Sequence, residues 1–484
     1  MRSALLRIFG ILGCAAGVSA CQIAPLQYAG TAGPAPRCSA IRTRIAIDAV
    51  GPARVTSIPV TVGPAQTGDT LDDRILESYD RRAAEMQVRP SAVGGSAQAP
   101  VSPSMLFLSG GSQNGAFGAG FLDGWAKARA AAGAPGGLPR FTVVTGISTG
   151  ALQSTFAFLG RTDVIARQYT IEQEADLLHV FVPGGLKSKS LITKARAGLA
   201  LAQKGAISEL MPLREKLRGL ITQEVLEAVA AEAKSGRHLL VGAVEMDSGD
   251  AYIFDLTRAA SEYVADLAQA RIDGDFSKVP QMRDCYIEVL MASSSVPMAA
   301  LPVFIDGKMY IDGGARFGVV SDFSADLMEK AASIMAEAET RATRPPEPKN
   351  LFILVNGTLE AGRTCELGDC PAGGTPPPRA GLVPQHGKWS FDKLALRSLS
   401  VLINQSYRSS VYWATSQAKE RGFTPHFLRI EPDVNAHRYD GQTCSAWKTI
   451  DDRAAPLEFH PRFMRCEIDY GRHRAEVPEW AGLE

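Results

Sequence analysis

The chain has 484 residues, with 51 Lys and Arg against 51 Asp and Glu, 45% apolar residues and 21% charged residues. The balanced charge argues against a nucleic-acid-binding protein, because that affinity rests mainly on cations that neutralise phosphates. Ordinary apolar and charged fractions argue against a mostly disordered or fibrous chain. The length allows one large α/β domain with extensions, or a few smaller domains.

Residues 1–20 have the features of an export signal. Arg2 and Arg7 precede an apolar run that ends in small residues just before Cys21. The run is shorter than the roughly 20 residues of a membrane-spanning helix, which is typical of a secretory signal. Its end resembles the lipobox of bacterial lipoproteins, so we expect cleavage before Cys21 and a lipid on its thiol. Cys14 offers a second, less favoured lipobox, and cleavage without lipidation is the remaining alternative.

The residue after the predicted cleavage point bears on location. In bacterial lipoproteins an aspartate directly after the lipidated cysteine is typical of retention at the inner membrane. Here the residue after Cys21 is Gln22. The sequence therefore resembles exported lipoproteins of the bacterial outer membrane, facing either the periplasm or the cell surface. We expect the chain to be anchored in the membrane through its lipidated Cys21.

The remaining cysteines form an even set, which in an oxidising compartment indicates disulfides. They are Cys38, Cys285, Cys365, Cys370, Cys444 and Cys466. Cys365 and Cys370 are the favoured local pair. Cys444 and Cys466 could instead hold zinc with His437 and His460, but no C-x-x-C pair is present and we consider this the weaker interpretation. No cofactor or metal is predicted.

Composition divides the mature chain into three parts. Residues 21–103 contain Gly/Pro-rich pieces, a strand-like stretch at 41–62 and a charged helix near 71–86, and we interpret them as an N-terminal tether. Residues 104–430 alternate strand, loop and helix, which predicts an α/β domain with a mainly parallel sheet. Residues 431–484 are predicted to be a C-terminal extension.

Within the predicted domain, short apolar and β-branched runs alternate with helical patterns. The predicted strands are Met105–Leu108, Phe141–Thr145, Leu239–Val244, Ala251–Leu256, Val303–Ile311 and Leu351–Val355. The predicted helices include Ala151–Leu159, Pro212–Ala233 and Ser398–Lys419.

Ser148 lies in Gly146-Ile-Ser-Thr-Gly150, directly after the strand Phe141–Thr145 and before a helix. A nucleophile elbow needs this arrangement, because its serine occupies a strained turn and the flanking glycines let two backbones pass closely. The pattern alone is weak, since a chain of this length has a fair chance of containing it. Its position at a strand-to-helix junction favours a nucleophile over a plain loop serine.

A glycine-rich segment, Gly110 to Gly120, follows the strand that ends at Leu108. Small residues that open a helix leave unpaired backbone N–H groups, which can hold an anion or a developing oxyanion. A phosphate-binding loop is the main competitor. It is disfavoured because Phe121 stands where such a loop has lysine.

The expected base for an activated serine is histidine, but none of the seven histidines lies in a recognisable motif. Asp312 offers another solution. It ends the second strand of a predicted hairpin whose turn is Asp306-Gly307, a pair that supplies the positive φ of a two-residue turn. Asp306 is thereby explained structurally, whereas Asp312 is free for chemistry.

Together these motifs resemble the patatin-like phospholipases, lipid acyl hydrolases that use a Ser-Asp dyad. The resemblance rests on the glycine-rich loop at Gly110 to Gly115, the serine motif at Ser148 and the Asp312-Gly313-Gly314 sequence, in that order. It covers about residues 104–430 and implies a three-layer sandwich around a mainly parallel sheet. Two positions depart from the family loop: Ser112 replaces its third glycine and Asn114 its basic residue.

The resemblance implies that Ser148 attacks an ester carbonyl while Asp312 accepts its proton. Backbone N–H groups of Gly110, Gly111 and Ser112 would form the oxyanion hole, with that of Thr149 as a further donor. The supporting motif residues would be Gly115, Gly146, Thr149, Gly150, Gly313 and Gly314. The implied partner is a membrane phospholipid or related lipid.

Two other functions stay open. The altered loop is compatible with a catalytically weak or silent lipid-binding envelope lipoprotein, and an esterase with a histidine base is the third hypothesis. Residues 186–206 carry five cations and no acid among apolar residues, so they are compatible with an anionic lipid surface or with a solvated helix. The five cations are Lys187, Lys189, Lys194, Arg196 and Lys204.

Overall fold

The computed structural model describes residues 38–47, 55–59, 71–88, 101–134, 137–185, 190–320, 325–341, 348–360, 391–454 and 456–476. Cys21, Cys365 and Cys370 lie outside the described residues. The predicted lipidation and the predicted Cys365–Cys370 disulfide therefore stay predictions.

The described strands begin and end as follows: β1 Arg42–Ile47, β2 Val55–Pro59, β3 Val101–Leu108, β4 Arg140–Gly146, β5 His179–Val180, β6 Ala206–Glu209, β7 His238–Glu245, β8 Ala251–Asp255, β9 Met298–Ala300, β10 Val303–Ile305, β11 Lys308–Asp312, β12 Asn350–Leu354, β13 Thr424–Leu428, β14 Arg438–Tyr439 and β15 Gln442–Thr443. Each strand predicted from the sequence in 104–430 is present.

The helices are α1 Leu71–Val88, α2 Gly115–Ala131, α3 Thr149–Phe158, α4 Thr162–Tyr169, α5 Leu191–Lys204, α6 Met211–Leu220, α7 Gln223–Lys234, α8 Leu256–Asp273, α9 Val279–Ser293, α10 Ala325–Arg341, α11 Phe391–Glu420, α12 Cys444–Asp451 and α13 Pro461–Glu476. None of these helices is both long and apolar enough to cross a membrane.

The central sheet has the order β13-β12-β3-β4-β7-β8-β1-β2. From β13 to β7 all neighbours are parallel, whereas β8, β1 and β2 add antiparallel strands at one edge. The hairpin of β10 and β11 joins the sheet where β11 pairs with β7. The sheet is therefore mixed but mostly parallel, as predicted.

Helices cover both faces of the sheet, because successive residues of a central strand point to opposite sides and both sides are apolar. In β3, Leu106 and Leu108 lie in one buried cluster with residues of α2, α9 and α13. Met105 and Phe107 lie in the opposite cluster with residues of α1, α10 and α11. The fold is an α/β three-layer sandwich.

The N-terminal segment differs from the tether that we predicted. Residues 42–47 and 55–59 contribute β1 and β2 to the sheet, and β1 pairs antiparallel with β8. Cys38 forms a disulfide with Cys285 of α9. Composition alone did not predict this, because β8, which pairs with β1, and Cys285, which bonds to Cys38, are each more than about two hundred residues away along the chain.

The C-terminal segment is also built into the sandwich rather than appended to it. Helix α13 packs so closely on α2 that a side chain at Gly120 would overlap the backbone of Ile468. The Nε of Arg472 donates to Oδ2 of Asp123 at 2.8 Å, which adds an ion pair to this contact. The helix that follows the glycine-rich loop is thus supported by the end of the chain.

Two sequence interpretations are corrected here. Cys444 and Cys466 form a disulfide, so their thiols do not serve as the zinc ligands of the weaker interpretation. The single helix predicted over Pro212–Ala233 is two helices, α6 and α7, because Ile221 leaves helical geometry and Thr222 caps the second helix through Val225 N–H.

Candidate active site

Ser148 occupies the turn between β4 and α3. Its backbone angles are φ 52° and ψ −124°, a conformation that non-glycine residues rarely adopt and that marks a strained, functional turn. Glycine is required on both sides: a Cβ on Gly146 would stand 2.5 Å from the carbonyl oxygen of Gly150, and one on Gly150 would overlap Leu108. This is the close backbone passage predicted from the motif.

The strained turn is held by α9 and the residues after it. The Ser148 N–H donates to Ser293 Oγ at 2.9 Å, and the Ser293 hydroxyl donates to the Gly242 carbonyl at 2.7 Å. Ser294 Oγ donates to the Ser148 carbonyl at 3.4 Å. Hydrogen bonds through Ser293 therefore fix the elbow to β7, and the sequence analysis did not assign this serine a role.

Asp312 is placed against Ser148 by the hairpin of β10 and β11. Its N–H donates to the Ser295 carbonyl at 2.9 Å, and its Oδ1 accepts from Gly314 N–H at 2.6 Å. The Asp312 carboxyl is hydrogen-bonded to the Ser148 side chain. Gly313 packs on the backbone of Gly242. Two residues 164 positions apart in the sequence thus form a dyad.

Asp312 is buried, and its burial determines the pH at which the carboxyl becomes charged. Desolvation raises its pKa from 3.8 to about 7, against the hydrogen bonds from Ser148 and Gly314 that favour the ionised form. The negative charge of Glu458 raises this pKa further. A carboxyl with a pKa near neutrality is a far better proton acceptor for a serine than an ordinary aspartate.

The glycine-rich loop lies beside the dyad, but one of its predicted donors is engaged. Gly110 N–H donates to the Gly318 carbonyl at 3.3 Å, so this amide supports the loop rather than an oxyanion. Gly111 has φ 151°, and a Cβ there would overlap the Asn356 backbone. Within the described part of the chain, no backbone carbonyl accepts from the amides of Gly111, Ser112 or Thr149.

Ser112 adopts φ 52°, the left-handed conformation that glycine occupies most readily. The serine therefore occupies a backbone conformation that glycine would adopt more easily, at a modest conformational cost. Its amide keeps the position of a donor even though its residue type departs from the family loop.

Distant residues hold this loop in place. Asn356 Nδ2 donates to the Ser109 carbonyl at 2.8 Å. Gln113 Oε1 accepts from the backbone N–H of His460 at 3.1 Å and lies 2.9 Å from its Nδ1. Gln153 Nε2 donates to the carbonyl of Gly115 at 2.7 Å. These contacts anchor the loop and the start of α2 to distant parts of the chain, and no local sequence motif predicted the roles of Asn356 or His460.

Tyr407 of α11 closes the other side of the dyad. A side chain at Gly110 would overlap the Tyr407 hydroxyl, and a Cβ on Gly314 would stand 2.6 Å from it and 2.9 Å from Asp312 Oδ1. Burial and the charge of Asp312 hold the pKa of Tyr407 well above its ordinary value. The tyrosine is therefore a neutral hydroxyl dipole next to the carboxyl, and sequence analysis missed it.

An apolar cavity of about 100 Å³ opens directly from Ser148. Its walls are mainly leucines and aromatic residues of α3, α4 and α6, among them Leu152, Phe156 and Leu213. None of the described histidines lines it. The side chain of Ser148 is hydrogen-bonded to Asp312, which argues against a histidine base.

A larger cavity of about 1180 Å³ adjoins the first and shares wall residues with it, including Leu178, Val296 and Phe459. The shared wall at 457–459 is held by one carboxylate. Glu174 accepts from the backbone N–H groups of Leu457, Glu458 and Phe459 at 2.7 to 2.9 Å. Among the described residues, no cluster of side chains fits a metal ion.

Comparison with known proteins agrees with this geometry. Residues 106–323 match the family model of patatin-like phospholipases, a span that begins in β3 and ends after β11. No curated protein matches the chain. The match includes both members of the dyad and the glycine-rich loop, and the chain therefore contains a patatin-like phospholipase domain.

Proposed function

We propose that this protein is a serine acyl hydrolase that cleaves fatty-acyl esters of phospholipids or related lipids through an acyl-serine intermediate. The observation that carries the proposal is Ser148, strained at the elbow, hydrogen-bonded to Asp312 and open to an apolar cavity. The apolar walls suit an acyl chain, since such a chain gains free energy by leaving water. The family match supports a lipid hydrolase in general.

The proposed reaction follows from the positions of these groups. Ser148 Oγ attacks the ester carbonyl as its proton moves to Asp312, and the amides of Gly111, Ser112 and Thr149 stabilise the oxyanion. The protonated Asp312 then gives the proton to the departing alcohol, leaving an acyl-serine. Water then attacks the acyl carbonyl as it loses a proton to Asp312, and Asp312 returns this proton to Ser148 Oγ as the bond between Oγ and the acyl carbon breaks and the fatty acid leaves.

The test compares purified wild-type protein with Ser148→Ala and Asp312→Ala on phospholipid vesicles, with products identified by lipid profiling. We expect fatty-acid release to fall at least about 10³-fold in each variant, because each removes a group that reacts. Ser154→Ala is the control, since Ser154 is another buried serine of the same helix that donates only to the Ala151 carbonyl. Turnover retained by Ser148→Ala would overturn the proposal.

The second candidate function is a lipid-binding envelope lipoprotein without turnover. It is favoured by the engaged amide of Gly110 and by Asn114 at the family's basic position. A fluorophosphonate probe separates the two functions, because it labels only an activated serine. Labelling of wild-type protein and not of Ser148→Ala supports the hydrolase, whereas no labelling with retained lipid binding supports the scaffold.

We further propose that the protein is exported and anchored to the outer membrane through Cys21. The disulfides Cys38–Cys285 and Cys444–Cys466 support an oxidising compartment. Metabolic labelling with a palmitate analogue tests the anchor. We expect incorporation in wild-type protein and none in Cys21→Ser, and label that persists in this variant would contradict the assignment.

A further inference from the structure

Helix α5 lies over the larger cavity, and only a narrow strip of its surface faces the protein beneath it. Ala197 is buried and contributes to the cavity wall with Ala200 and Leu201. The other residues of the helix are exposed or half-buried. The helix therefore lies on the surface of the sandwich with only a thin contact to the protein beneath.

The outer face of α5 is apolar. Leu191, Ile192 and Leu199 expose 83%, 68% and 56% of their surface. At about 100° per residue, these three side chains fall together with Ala195 on a stripe roughly opposite Ala197. A surface helix of a water-soluble protein usually turns its charged side towards the solvent, whereas α5 turns apolar side chains towards the solvent.

Cations flank this stripe. On the same helical projection Lys194 lies on one side of it and Arg196 on the other, both exposed, and α5 contains no acidic residue. Lys204 at the end of the helix is engaged elsewhere, with its Nζ 3.6 Å from the ring centre of Phe181. An apolar stripe between two cations matches a bilayer with anionic headgroups, because the side chains enter the acyl region while the cations meet phosphates.

The surface leads towards the dyad. Beyond α5, Met298 of β9 pairs in register with Ala206 and is 42% exposed, and it also lines the larger cavity. That cavity shares Val296 and Phe459 with the cavity beside Ser148. A lipid taken from a membrane at α5 would thus enter a cavity that adjoins the apolar cavity beside the nucleophile.

We propose that α5 is an interfacial helix that docks this protein on the surface of an anionic membrane, with Leu191, Ile192 and Leu199 inserted and with Lys194 and Arg196 at the headgroups. The proposal rests on the proposed lipid hydrolase function for its biological meaning. Docking itself requires no turnover.

The experiment measures co-sedimentation with vesicles of phosphatidylcholine alone or with phosphatidylglycerol. Every protein is the full chain with Cys21→Ser, which cannot be lipidated, and with Ser148→Ala, which removes the nucleophile. Failure of the proposed hydrolysis therefore leaves this measurement unaffected. We expect the background protein to bind the anionic vesicles more tightly than the neutral ones.

Two sets of variants test the two parts of the surface. Leu191→Gln/Ile192→Gln/Leu199→Gln should weaken binding to both vesicle types at least about tenfold, because three apolar side chains no longer leave water. Lys194→Gln/Arg196→Gln should weaken binding to anionic vesicles about fivefold per cation, and leave binding to neutral vesicles unchanged.

Matched controls lie on helices that line neither cavity. Ile272→Gln removes an apolar side chain that is 78% exposed, and Lys234→Gln/Arg271→Gln removes two exposed cations. Both controls should bind vesicles like the background protein. Equal losses in a control and its matched set, or unchanged binding of the triple variant, would overturn the proposal.

Sedimentation velocity and a soluble substrate complete the design. If the α5 triple variant changes the oligomeric state instead of vesicle binding, the stripe is an interface between copies and the lipid proposal is wrong. The triple substitution is also made in protein that keeps Ser148. Its hydrolysis of a short soluble ester should be unchanged, which verifies that the fold is intact.

Discussion

Burial decides the chemistry of Asp312 at the scale of single residues. An aspartate in water has a pKa near 3.8, so it is ionised at neutral pH and is a weak base. Desolvation raises the pKa of Asp312 to about 7. The sequence identified the residue through the glycines that follow it. It did not predict the shifted pKa, because the side chains that exclude water from Asp312 come from other segments.

The raised pKa predicts a pH profile. Asp312 accepts a proton only when ionised, so kcat/KM should rise with pH and level off above a midpoint near 7. An ordinary aspartate would give a flat profile from pH 5 upwards. Initial rates on a soluble ester between pH 5 and 9 measure the midpoint. A flat profile would show that the folded protein does not raise this pKa.

Tyr407→Phe tests the hydroxyl beside the dyad. The neutral hydroxyl dipole near Asp312 should favour the ionised carboxyl, so its removal should raise the midpoint of the pH profile above that of wild type. Activity should then fall several-fold near pH 6.5 and much less at pH 9. An unchanged midpoint would assign Tyr407 a packing role alone. Tyr412→Phe, an exposed tyrosine of the same helix, is the control.

At the scale of elements, the loop that carries the oxyanion donors depends on elements far from it in the sequence. Its own residues supply the backbone conformation, including the positive φ of Ser112. Its position depends on Asn356 after β12 and on His460 before α13. The glycine pattern therefore predicted the type of loop, but not the contacts that replace its missing basic residue.

The position of segment 457–459 also depends on a residue distant in the sequence, because the Glu174 carboxylate accepts hydrogen bonds from all three of its backbone amides. Glu174→Ala should release this segment, leave three N–H groups without their acceptor and disturb the wall shared by both cavities. We expect kcat/KM on long-chain esters to fall about tenfold and that on a butyrate ester to fall less than threefold.

Assays with esters of increasing chain length measure this difference. Glu224→Ala is the control, since Glu224 is an exposed acid that lines neither cavity. An equal fall for all chain lengths would mean that Glu174 supports overall stability and not the acyl wall.

At the scale of the whole molecule, covalent links join the chain ends to the sandwich. Cys38–Cys285 spans 247 residues and ties the segment before β1 to α9, whose end holds the Ser148 elbow through Ser293. Cys444–Cys466 spans 22 residues and joins α12 to α13. Longer closed loops restrict the unfolded chain more strongly, so the first link should contribute more stability.

Double alanine variants of each disulfide test this ranking. Cys38→Ala/Cys285→Ala should lower the free energy of unfolding by about 5 kcal/mol, and Cys444→Ala/Cys466→Ala by about 3 kcal/mol, according to the loop-entropy relation. Guanidinium unfolding followed by circular dichroism gives both values. Equal losses, or a larger loss for the short loop, would contradict the ranking.

The sequence by itself determined the α/β class, the strands β3, β4, β7, β8 and β12, the hairpin of β10 and β11, the elbow at Ser148 and the aspartate at Asp312, because each depends on residues within about ten positions. Local patterns report local backbone geometry. Tertiary structure alone decided that β1 and β2 extend the sheet, that α13 supports the loop helix and that Tyr407 lies next to Asp312. These features arise from packing between distant segments, and no short window of sequence contains both partners.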